Sequence, residues 1–63
     1  MVDREELLRA LAEYGRTIQE DGWRAGELMI ERYAREIPDF KRWAYARGIM
    51  LRAEELLAGL AQQ

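Results

Sequence analysis

The stretch that decides the fold is IPDFKRWAYARGIMLRAEELLAGL, residues 37–60. Pro38 suits the first position of a helix, where its fixed φ is already helical and its missing N–H costs nothing. Asp39 sets a negative charge beside the positive end of the helix dipole. At the far end, Ala58-Gly59-Leu60 reads as a stop, with Gly59 free to turn left-handed and Leu60 able to fold back. These signals predict one long helix over 38–59. Projected at about 100° per residue, Trp43, Ala46, Met50, Ala53 and Leu57 form its central stripe. Phe40, Ala44 and Leu51 flank that stripe on one side, and Tyr45, Ile49, Leu56 and Leu60 extend it on the other. Lys41, Arg52 and Glu55 carry the one plainly polar sector, while Arg47 and Glu54 interrupt the apolar arc. A helix apolar over most of its circumference has to be covered from more than one direction.

Working toward the N-terminus, the companions are two shorter amphipathic segments. Asp3 and Glu6 are spaced as a capping box, and Val2 is placed to staple onto Leu7. Leu7, Leu8, Leu11, Tyr14, Gly15 and Ile18 then share one face, which predicts a helix over 4–20. A second helix is expected over 23–36, with Trp23, Gly26, Met29, Ile30, Tyr33, Ala34 and Ile37 inward. Ile37 precedes a proline and is pushed toward extended geometry, which ends it. Asp21-Gly22 is the ambiguous junction. It is a strong turn signal, yet the apolar stripe drifts only modestly across it, so a continuous kinked helix is the alternative. The preferred architecture is a small all-α three-helix bundle forming one domain, and the alternative is a long helical hairpin kinked at Asp21-Gly22 and turning at Pro38.

Composition limits the chemistry. The chain has 63 residues, a net charge of −2, and no Cys or His. No disulfide or His/Cys zinc site can brace it, so a chain this short relies on close helix packing or on a partner subunit. Ser is absent as well. Nucleophilic catalysis of the Ser/His or Cys/His kind is therefore excluded, as are di-iron sites built on Glu-x-x-His. Paired glutamates on a helix surface, such as Glu27 with Glu31, read most simply as solubilising groups. Gly22 and Gly26 belong to no phosphate loop, because no strand precedes them and no Lys-Ser/Thr follows. A DNA-binding helix-turn-helix around Tyr14-Gly15 fails too, since Asp21 and Arg24 stand where its second helix needs apolar residues. Hence no catalytic residue, cofactor or metal ligand is assigned, and an enzyme is not expected. No apolar run approaches a membrane span and Met1-Val2-Asp3 opens no signal peptide, which together with the missing Cys fits a cytoplasmic protein.

Charge is unevenly spread: residues 1–21 sum to −3, residues 22–52 to +3, and the tail to −2. Between Tyr33 and Arg47, aromatic and cationic side chains interleave, a pattern that suits a protein hot spot or nucleic-acid contact. The plainer reading puts Tyr33, Phe40 and Trp43 in the core at the corner of the second and third helices, leaving Arg42 and Tyr45 as surface candidates. Leu28 projects among charges on the second helix. On the third, Ile49, Leu56, Leu57 and Leu60 overhang what the two shorter helices can cover, which predicts a homodimer built on that helix, with Arg47 and Glu54 pairing across it. The expected partner-binding residues are thus Leu28, Arg42, Tyr45, Arg47, Ile49, Leu56 and Leu60. The function expected is a non-enzymatic helical protein–protein interaction module, a small regulator or inhibitor that binds another protein. The competing class is an Arg/aromatic nucleic-acid binder.

Overall fold

Where the first helix stops is set by one residue. In the computed structural model, which describes residues 4–62, α1 spans Arg4–Asp21, α2 spans Trp23–Tyr33 and α3 spans Phe40–Ala61. Gly22 donates its N–H to the Ile18 carbonyl at 2.9 Å, completing α1, and accepts from the Gly26 N–H at 3.3 Å, opening α2. It turns between these roles at φ 95°, ψ 173°, a conformation essentially reserved for glycine. The chain therefore breaks at Asp21-Gly22, and the continuous-helix alternative is not what forms. The capping box at Asp3 and the Val2 staple lie outside the described residues.

The second corner differs from the sequence expectation at both ends. α2 stops at Tyr33, and the Tyr33 carbonyl accepts the N–H groups of both Glu36 and Ile37, at 3.1 and 2.8 Å. The Phe40 N–H then donates to the Ile37 carbonyl at 3.0 Å, with Asp39 at φ −89°, ψ −1°. That is a type I turn with Pro38 at its first central position. Pro38 thus directs the corner rather than opening the helix, and Asp39 precedes α3 without a side-chain cap. At the other end Gly59 is not a stop. Its φ is not positive, and α3 runs through it to Ala61. No side chain sits near Gly59 to reward a reversal, and helical hydrogen bonding continues by default.

Each helix touches the other two, and the shared core is Ala10, Tyr14, Ile18, Ile30, Ile37, Phe40, Ala44 and Leu51. Tyr14 is its wedge. A Cβ placed on Gly26 of α2 would lie 3.2 Å from Tyr14 Cε2 and 2.8 Å from Ile18 Cγ1. On the opposite wall, a Cβ on Gly48 of α3 would lie 3.1 Å from the Tyr14 hydroxyl. Two glycine notches on two helices therefore admit one tyrosine from the third. Its ring meets Phe40 edge-on, at 6.2 Å and 86°, and Tyr33 closes on the same Phe40 at 5.6 Å. Phe40 is completely buried. Trp43 was expected beside it in this corner but lies 46% exposed, because the face of α3 that carries the notch points it away.

The face that α3 buries is Phe40, Ala44, Gly48 and Leu51, the flank of the stripe read from sequence rather than its centre. Small residues at 44 and 48 let the helix backbones approach, which the bulkier stripe of Trp43, Met50 and Leu57 does not allow. From Arg52 to Gln62 every residue is exposed. The continuation of the buried face there is Glu55, Ala58 and Gln62, so only one methyl group remains on that side to pack. About 16 Å of helix, at 1.5 Å per residue, consequently projects beyond the bundle, within a molecule measuring 47 × 20 × 15 Å. No helix of the described residues is long and apolar enough to cross a membrane.

Two measurements test this packing. Gly26→Ala should cost about 1–3 kcal/mol, because a methyl group there forces Ile18 and Tyr14 out of position. Gly59→Ala meets nothing within 4 Å and should be neutral or gain up to about 1 kcal/mol from helix propensity. Denaturant midpoints of the two variants should therefore move in opposite directions, and equal losses would contradict the notch. Separately, burial pushes the Tyr14 hydroxyl above its ordinary pKa of 10.0, with Tyr45 and Glu27 adding to the rise. The stabilisation is complete below the unfolded pKa and is lost as pH climbs through the raised folded value, since the unfolded chain gives up the proton first. Denaturation midpoints should fall in the alkaline range, and Tyr14→Phe should flatten that decline relative to its own neutral-pH value.

Candidate functional site

The core turns one face of α3 inward, which leaves the opposite face of the same helix in water. At about 100° per residue, Ile49 lies roughly 160° around from Leu51, with Leu56 close by on one side of it and Leu60, Ala53, Ala46, Leu57, Met50 and Trp43 spread successively to the other. Among the described residues, seven of the nine large exposed apolar side chains are on α3: Trp43, Tyr45, Ile49, Met50, Leu56, Leu57 and Leu60. Ile49 is 72% exposed and Leu56 68%. Apolar side chains of this size grouped on one helix face form the kind of patch that marks an interaction site, whereas scattered single ones are ordinary.

The expected partner-binding residues separate into three groups. Ile49, Leu56 and Leu60 stand together on this outward face, as the overhang argument required. Arg42 lies at its N-terminal end with its guanidinium 5.6 Å from the Trp43 ring centroid. Tyr45 borders it on the α2 side, over an open groove lined also by Ala34 and the edge of the buried Ile30, between Glu27, Glu31, Arg35 and Lys41. Arg47 stands on the α1 side instead, where its Nε would be 3.9 Å from a Cβ on Gly15. Leu28 belongs to neither group. It is 52% exposed on α2, beside Glu13 and Thr17 of α1, and the structure does not bring it to the α3 surface.

Trp43 completes the outward face although the sequence reading placed it in the core, and Met50, read as part of the central stripe, stands there with it. The signal that could have found them is the contrast between two apolar arcs on one helix. The arc carrying Ala44 and Gly48 is the one able to approach other helices closely, and the bulkier arc is then left out.

The cations near the aromatic residues are largely occupied within the chain. Arg52 stacks over Trp23 at 4.2 Å and so ties α3 to the start of α2, while Arg32 lies 5.8 Å from the Tyr33 ring. Such contacts are worth about 0.5–1 kcal/mol each at exposed sites. Exposed i,i+3 and i,i+4 pairs, Arg24–Glu27 at 3.5 Å and Arg9–Glu5 at 3.4 Å, lie on the outer faces of α2 and α1. Below the end of the core, Glu54 and Glu55 rim a shallow hollow floored by Ile18, Trp23 and Leu51. Among the described residues no group of three or more acidic side chains is arranged to hold a metal.

What the site offers is therefore an apolar helical surface with charges at its margins. Comparison with known protein families, curated proteins and solved structures yields no match to this chain.

Proposed function

We propose that this chain is a non-enzymatic protein–protein interaction module, a small cytoplasmic regulator or inhibitor that acts by binding through the outward face of α3. The observation that carries the reading is the placement of Ile49, Leu56, Leu57 and Leu60, each about two-thirds exposed or more, along one helix. Water contact with side chains of this size forgoes roughly 1.5–3 kcal/mol apiece. An amphipathic helical face laid against a complementary helix or groove is a common way to recover it. The competing nucleic-acid reading has less support. The net charge is −2, whereas phosphate binding calls for a basic domain, and Arg32, Arg42 and Arg52 already cover aromatic faces on which bases would stack.

Site-specific photo-cross-linking in the source cell tests the reading. A photoreactive residue at position 56 should give a discrete protein adduct, and the same group at position 16, exposed on the outer side of α1, should not. Absence of any adduct at 56, or equal labelling at both positions, contradicts it. A salt titration against duplex and single-stranded DNA and RNA tests the alternative. No binding is expected even at low salt, and micromolar binding with a steep salt slope would favour the nucleic-acid class instead.

A further inference from the structure

We infer that the occupant of this face is the same face of a second copy, laid antiparallel about a two-fold axis level with Leu51; the inference rests on the interaction reading and names its partner. Three features of α3 select that arrangement. The first is size. With the axis at Leu51, Ala46 faces the partner's Leu56 and Ile49 faces the partner's Ala53, so the two layers on either side of the axis each set a large side chain against a small one, as close packing requires. A parallel, in-register pair would stack Ala46 and Ala53 on their own copies, leaving gaps between layers of leucine on leucine.

The second feature is charge. Along α3 the cations Lys41, Arg42, Arg47 and Arg52 all precede the acids Glu54 and Glu55. Reversing one helix brings Arg47 within one residue of the level of the partner's Glu54 on the same flank of the seam, twice by symmetry, whereas a parallel pair aligns cation with cation. Antiparallel helix dipoles oppose each other favourably as well. The third feature is access. The bundle lies on the far side of α3, so two copies meet through their α3 faces without α1 or α2 colliding. The interface is isologous and closes at two subunits.

Sedimentation equilibrium from low to high micromolar concentration should return twice the 7.4 kDa chain mass. Ile49→Glu should return the single mass at the same concentrations with its helical circular dichroism retained, showing that the fold survives. Arg47→Glu and Glu54→Arg should each weaken association about tenfold, by setting like charges level with one another. An equimolar mixture of these two variants should recover it as a heterodimer, because both cross-pairs are then opposite in sign. A chain monomeric throughout overturns the inference. So does an Arg47→Glu variant that associates as tightly as the parent, as a parallel pair would by exchanging Arg–Arg for Glu–Glu, or a mixture that fails to recover. A monomer that still cross-links to a foreign protein through position 56 overturns the second-copy inference and leaves the interaction reading standing. No adduct at position 56 and no dimer would remove both.

Discussion

The packing of the molecule depends on Tyr14 fitting between two glycines. A tyrosine is too large to lie at the seam of three close helices unless the neighbouring walls lack side chains, and Gly26 and Gly48 supply that lack on α2 and α3. Mid-helix glycine costs about 0.5–1 kcal/mol in propensity at each position. The return is a ring buried to 4% exposure and packed edge-on against Phe40, an aromatic contact that adds about 0.5–1.5 kcal/mol beyond its area. With no disulfide available, a 63-residue chain has few other ways to hold three helices in one arrangement.

That wedge also determines which side of α3 is hidden. Once Gly48 faces Tyr14, the helical repeat carries Phe40, Ala44 and Leu51 inward with it, and the bulk of Trp43, Met50 and Leu57 outward. Apolar residues are not in short supply on α3. They occupy two opposite faces, and a pair of short helices on one side can cover only one of them. The projecting C-terminal end follows from the same limit, because α1 and α2 meet at Gly22 and, beyond Leu51, Glu55, Ala58 and Gln62 offer no large apolar side chain.

The interaction surface is thus the remainder of a packing choice, which gives it a particular character. It is a continuous helical face and not a cleft, so it suits another helix better than a small molecule. Its charges sit at the margins, where they set orientation more than affinity. Arg52 and Trp23 join the two regions: the stacked guanidinium holds the helix to the bundle at the level where burial ends.

Helix content and much of the core were legible in the residues themselves. The single-faced periodicity of α1 and α2 marked Tyr14, Ile18, Gly26 and Ile30 as inward, and all four are buried. Asp21-Gly22 marked the first corner, since only glycine takes φ 95° without strain. Local chemistry of this kind depends on neighbours in sequence. What sequence alone left open was anything requiring two helices to be placed at once. Pro38 is equally at home opening a helix or directing a type I turn, and the hydrogen bond from Phe40 to Ile37 decides for the turn. Gly59 carries a stop signal that the helix passes through, because no tertiary contact rewards reversal there. Above all, α3 presents two apolar arcs of similar strength, and periodicity cannot rank them. Tertiary structure ranks them by volume: the notch at Gly48 and the small Ala44 permit the backbone approach that Tyr14 needs, and the larger side chains are left to face the water.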